Sequence, residues 1–248
     1  MWEVQLCGDA DTLRWLSTFL KLGGTSVEPS VKDDGFVLKS EHFTPILDAS
    51  SLRREAEGIV RQIRGMVAFD RGEPRELYCG AVFRYDANGN REIGLCLHES
   101  VQLLDRPDAS VSDAIGNPRP DRDEDMPTDL ENWMALAATD AHVAKAFRLM
   151  DQDWEDWVGY YRLCEVMIDD RKGERALAKF AEVEESEIKR FKGSANSVTV
   201  GGDASRHGRE FGQPPSNPMH LDDARRFIFK CLRHWLQSKV ASMTTSSS

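Results

Sequence analysis

Hydrophobic and polar positions change their rhythm twice along the chain. In the first hundred residues, strand-like alternation and helical stripes interleave. WEVQLC, residues 2–7, alternates as a half-buried strand does. GDADTLRWLSTFL follows as a capped amphipathic helix with Leu13, Leu16 and Leu20 on one stripe. DDGFVLKS reads as a short strand. Asp48 or Ser50 then caps a helix reaching about Phe69, whose Leu52, Ala56, Ile59, Ile63 and Val67 recur at helical spacing. LYCGAVFRYDANGNREIGLCLHE is a predicted hairpin, two apolar-rich runs joined by an Asn-Gly turn signal. Residues 1–104 therefore predict an α+β unit, an antiparallel sheet with covering helices.

The pattern fails over residues 105–127, where four prolines and many acids predict a linker or exposed loop. From 128 to 241 the rhythm is helical throughout: DLENWMALAATD, AHVAKAFRLMDQD, WEDWVGYYRLCEVMIDD, ALAKFAEV with ESEIKRFKGSAN, and HLDDARRFIFKCLRHWLQSKV. In the last, Leu221, Ala224, Ile228, Cys231 or Leu232, and Trp235 line one face, with Arg225, Arg226, Lys230 and Arg233 turned mostly away. Pro218, Asp222 and Asp223 fit its entry. Residues 242–248 are expected to fray. The predicted fold class is α+β, a sheet-containing N-terminal part followed by an all-α bundle. Trp133, Trp154, Trp157, Tyr160, Tyr161 and Trp235 recur at helical spacings that predict packing rather than base stacking.

Composition narrows the class. In 248 residues, 40% are hydrophobic and 30% charged, enough to build a core in water. No apolar run approaches the roughly 18 to 20 residues that span a bilayer, and MWEVQLCGDAD lacks the features of a signal peptide. A cytoplasmic protein without a membrane partner is the expectation. Five widely spaced cysteines argue against a disulfide framework, and a Cys79–Cys96 bridge across the hairpin is disfavoured in a reducing compartment. The six histidines show neither HxxxH nor HExxH spacing, so no metal site and no cofactor is read.

Net charge is −10 but unevenly spread. Residues 1–104 hold 12 Lys/Arg against 16 Asp/Glu, residues 105–187 hold 10 against 22, and residues 188–248 hold 10 against 4. The basic last segment contains GGDASRHG, residues 201–208, in which two glycines, an acid, an arginine and a histidine fall within eight residues. It lacks the lysine of a GxxxxGK[ST] loop and is not GxGxxG. Ser205 has no GxSxG context for a nucleophile. Metal-free RNA cleavage needs proton transfer at the 2′-hydroxyl and the leaving oxygen, and a cation on the charged phosphorane. Histidine titrates near neutrality, and arginine gives a fixed charge with a fork for phosphate. His207, Arg206 and Asp203 are thus the candidate catalytic residues: acid/base group, phosphate contact and orienting acid. Arg209, Lys192 and Asn196 are the candidate substrate-binding groups. The alternative is a salt bridge of Asp203 with Arg206 beside an exposed histidine.

YYRLCEVMIDD, EIKRFKGSAN, GDASRHG and PMHLDDARRFIFKCLRHWL together resemble the HEPN superfamily of prokaryotic defence and toxin proteins. The resemblance covers roughly residues 128–240. It implies a helical bundle, a homodimer, RNA as a partner and metal-independent endoribonuclease activity. Its motif places an arginine four to six residues before a histidine. His207 matches the histidine, but the arginine's place, about residues 200–202, holds Val200, Gly201 and Gly202. Arg206 would then serve by a different geometry, with Glu165 as a polar residue facing the site. The same fold without activity would be an interaction or regulatory module gripping a protein partner or nucleotide.

Overall fold

In the computed structural model, the described residues are 1–21, 24–32, 34–71, 76–86, 88–94, 129–151, 154–207, 209, 213 and 215–246. The element order opens with β1 (Trp2–Gly8), α1 (Ala10–Phe19), β2 (Thr25–Pro29), β3 (Phe36–Ser40), α2 (Ala49–Arg71), β4 (Leu77–Tyr85) and β5 (Arg91–Gly94). The strands form one antiparallel sheet in the order β2-β3-β1-β4-β5. Helices follow: α3 (Leu130–Thr139), α4 (Ala141–Leu149), α5 (Trp157–Arg171), α6 (Glu174–Ala181), α7 (Glu185–Asn196), the single turn α8 (Val198–Gly201) and α9 (Leu221–Ser246). The fold is α+β. The expected linker, 105–127, and Cys96 lie outside the described residues.

Local chemistry explains the starts of these elements. The Asp9 carboxylate accepts from Thr12 N at 2.9 Å and Thr12 Oγ1 at 2.7 Å, opening α1. Of the two candidate caps of α2, Asp48 acts, accepting from Ser51 N at 2.8 Å. Every member of its predicted stripe is buried, from Leu52 through Ala56, Ile59 and Ile63 to Val67. On α9, Ala224, Ile228, Cys231, Leu232 and Trp235 are buried as expected, whereas Leu221, the first residue of the helix, is 37% exposed. The helix also continues to Ser246, through most of the stretch expected to fray.

Buried side chains form a continuous cluster running from Val4 and Leu6 on β1, through α2, to α9. The junction is aromatic: Phe69 of α2 lies 5.3 Å from Trp133 of α3 and 5.6 Å from Phe229 of α9, and Trp154 is 5.3 Å from Phe229. Trp133, Trp154, Trp157, Tyr160, Tyr161 and Trp235 are all buried. Cys7, Cys79, Cys164 and Cys231 are free thiols, and burial pushes the Cys79 thiol up to about 12.

Two features of α2 fix the helical part against the sheet. Gly65 meets α4 backbone to backbone; a Cβ there would stand 1.9 Å from Phe147 O. Just past α4, the Asp151 carboxylate is fully buried and is held by two arginines of α2. Arg61 Nε donates to it at 3.1 Å and Arg64 NH2 at 2.8 Å, with a further bond from Arg64 Nε. Arg64 also donates to Leu77 O at 3.0 Å, so one side chain links α2, β4 and the helical part.

Removing this carboxylate strands two cations at a junction. Asp151→Ala is expected to cost about 3 kcal/mol, which lowers Tm by roughly 6–12 °C for a chain of this size. Gly65→Ala is expected to destabilise by about 1–3 kcal/mol through forced separation of α2 and α4. Thermal unfolding by circular dichroism checks both; an unchanged melt in either variant contradicts this account of the junction.

Candidate functional site

The polar stretch that carries the sequence's candidate residues begins at the end of α7. Ser197 turns the chain into α8, and Gly201 then packs against α5. A Cβ on Gly201 would lie 3.0 Å from Trp157 Cδ1 and 3.1 Å from Ser205 Cβ. Gly202 follows with φ of 55°, in the left-handed region. The two glycines therefore serve a close approach and a reversal rather than looseness. A single 3-10 turn, Gly202–Ala204, presents Asp203 to solvent. The loop then ties back onto α7: Arg206 N donates to Ala195 O at 2.9 Å, and the buried Ser205 donates through Oγ to His207 O at 2.6 Å.

This tether lays Arg206 over α5. Its guanidinium carbon stands 4.0 Å from the Tyr161 ring centroid, a cation–π contact, and NH2 is 3.5 Å from Glu165 Oε1. Lys192, one turn before the end of α7, lies 6.0 Å from the same ring and pairs with Glu174 of α6. Burial opposes the Lys192 charge, but the bond to Glu174 outweighs it and raises its pKa. Tyr161 itself is 5% exposed, so it supports two cations and is closed to a stacking base.

Of the six candidates, the structure brings Arg206 and Lys192 together on Tyr161. Asn196 is next to the carbonyl that anchors Arg206, and its Oδ1 is buried with no hydrogen-bond partner among the described residues. His207 is half-buried, while Asp203 and Arg209 are exposed. The ion pair of Arg206 runs to Glu165. Sequence reasoning did not find Tyr161 as the support or Glu174 as the partner of Lys192.

A second polar cluster was not anticipated. Asp140 ends α3 and caps α4, accepting from His142 N at 2.9 Å and Val143 N at 3.2 Å. Beside it stand His142 and Asp170, and one ligand atom from each of the three falls within 4.8 Å of the others, a donor set suited to a metal ion. Lys239 of α9 already puts an ammonium there, bonded to Asp140 and, at 2.8 Å, to Asp170 Oδ1. Asp170 also accepts from Trp235 Nε1 at 2.7 Å, and His142 Nε2 lies 2.9 Å from Asp169 Oδ2. The arrangement is an internal ion network with its own cation. Spacing gave no signal for it, because Lys239 lies 99 positions from Asp140.

Both clusters pair the acidic middle of the chain with its basic end. Glu165 meets Arg206, Glu174 meets Lys192, Glu155 meets Arg225, and Asp140 and Asp170 meet Lys239. Much of the positive charge after residue 188 is thus spent inside the fold. No protein-family model matches this chain, and no curated protein or solved structure matches it either.

The Lys239 network has a pH signature. Burial pushes the Asp140 carboxyl up, but the bonds from Lys239 and from the Val143 and His142 amides outweigh it and hold it below the ordinary 3.8. A carboxyl depressed in the folded state stabilises above its unfolded value and loses that contribution as pH falls through the folded one. The stability lead of the wild-type protein over Lys239→Met is therefore expected to be full at pH 7 and to shrink below pH 3.8. Urea unfolding across pH 7 to 2.5 measures it; a lead that does not change with pH contradicts the assignment.

Proposed function

We propose that the protein is a metal-independent RNA-processing protein of HEPN-like kind, associated with prokaryotic defence, acting from the loop of Arg206 and His207 in the cytoplasm, with RNA and a second copy of the chain as partners. The observation that carries this reading is the tethering of the loop. Arg206 N is bonded to Ala195 O, and its guanidinium is laid over the buried Tyr161 beside Lys192. Two cations on one rigid support, next to a half-buried histidine, suit a phosphodiester.

In this reading His207 takes the 2′-hydroxyl proton as the 2′-oxygen attacks phosphorus. The bond from phosphorus to the 5′-oxygen breaks, leaving a 2′,3′-cyclic phosphate; a solvent water protonates the departing 5′-oxygen, and His207 returns its own proton to the hydroxide so formed. Arg206 faces the non-bridging oxygens while negative charge builds on them. Asp203, exposed on the preceding turn, orients the histidine when substrate is bound, and Arg209 and Asn196 contact the flanking chain.

A second reading is a non-catalytic module that grips a protein partner. It is favoured by the carboxylates already paired to both cations, Glu165 to Arg206 and Glu174 to Lys192, with which any phosphate must compete. No helix among the described residues is long and apolar enough to cross a membrane.

Mixed RNA incubated with the protein in EDTA separates the two. Cleavage by the wild-type protein, reduced about 10²–10⁴-fold in His207→Ala and also lost in Arg206→Ala, supports the nuclease. Equal inactivity of all three proteins across varied RNAs sinks it and leaves the module.

A further inference from the structure

Facing stripes of α4 and α5 enclose a groove of about 410 Å³ lined by His142, Lys145, Leu149, Arg162, Glu165, Val166 and Asp169. The lining follows from helix geometry: positions 142, 145 and 149 recur on one face of α4, and 162, 165, 166 and 169 on one face of α5. Its volume is within the range of small-molecule sites, roughly 300–1,000 Å³.

The charges in the groove are unequally satisfied. Glu165 pairs with Arg206, and Asp169 is bonded to His142, whose other ring nitrogen faces Asp140 and Asp170. Lys145 and Arg162 are both exposed and have no ion pair or hydrogen bond among the described residues. Lys145 acts on Asp169 only through space, helping to lower its pKa after the larger effect of the His142 bond. The two carboxylates thus have bonded or ion-paired partners of their own, and the two cations on the opposite walls have none among the described residues. Arginine brings a planar fork and lysine a point charge, a pair suited to a phosphate. Leu149 and the buried Val166 offer apolar surface for whatever the phosphate carries.

We propose that the α4–α5 groove binds a phosphomonoester of nucleotide size, with Lys145 and Arg162 gripping the phosphate and Leu149 and Val166 under the organic group. The site is lined by other residues than the His207 loop and meets it at the Glu165–Arg206 pair, so its occupancy does not depend on the nuclease reading.

Isothermal titration tests this with two probes, AMP and inorganic phosphate, at pH 7.5 and low salt. Saturable binding of AMP is expected, weakened about tenfold by Lys145→Ala and by Arg162→Ala. Controls with the same charge change, Arg54→Ala and Arg175→Ala taken singly, should bind as the wild type does, as should His207→Ala. Phosphate alone should bind more weakly than AMP; equal affinity would overturn the assignment of an organic phosphate. Absence of saturable AMP binding, or losses in the arginine controls equal to those in the groove variants, would overturn the site. Circular dichroism melts of Lys145→Ala and Arg162→Ala should match the wild type, because both side chains are exposed.

Discussion

The buried carboxylate of Asp151 is the constraint on which the rest of the molecule depends. A fully enclosed charge must be met by cations, and those are Arg61 and Arg64, one turn apart on α2. Their grip fixes the end of α4 along α2, and Gly65 lets the two helices touch at Phe147. With α4 set, α5 packs beside it and presents Tyr161 and Glu165 to the loop that carries Arg206. The polar face of the helical part is therefore placed, through three contacts, by the helix that also covers the sheet.

Long elements were legible because they are written in local periodicity. The stripe of α2 and the face of α9 needed no partner to be recognised, and the Asn-Gly hairpin announces its own turn. β2 was missed because TSVEP has little apolar signal beyond Val27 and becomes a strand by pairing with β3, from Thr25 opposite Ser40 to Pro29 opposite Phe36. The turn α8 is too short to show a period. At the candidate site, the residue types were readable and the partners were not. Arg206 and Tyr161 are far apart in sequence, and their contact exists because a backbone bond to Ala195 sets the loop on α7. The two glycines of the loop show the same limit. Their composition suggests flexibility, whereas the fold uses one for contact with Trp157 and the other for a reversed φ.

The charge asymmetry of the sequence also gains a different meaning. A basic terminal segment after an acidic one invites the thought of an anionic partner. In the fold these blocks neutralise each other, helix against helix, through four sets of ion pairs between α4–α6 with the turn before α5 on one side and α7–α9 with the Arg206 loop on the other. Among the cations that these pairs leave over, Lys145 and Arg162 stand across one groove. Recognition of an anion by this protein would thus be short-range and geometric, with little long-range steering from a surface whose net charge is negative.

The contacts of α9 bear on how the chain reaches its fold. Trp235 and Lys239 bond to partners 65 to 99 positions earlier, and those partners include the carboxylates of Asp140 and Asp170. Until α9 docks, Asp140 and Asp170 lack the ammonium of Lys239 that joins them. Closing such long loops costs conformational entropy, which the contacts of the docked helix must offset. Docking of the last helix thus brings a large fully buried side chain, Trp235, together with the ammonium that Asp140 and Asp170 share.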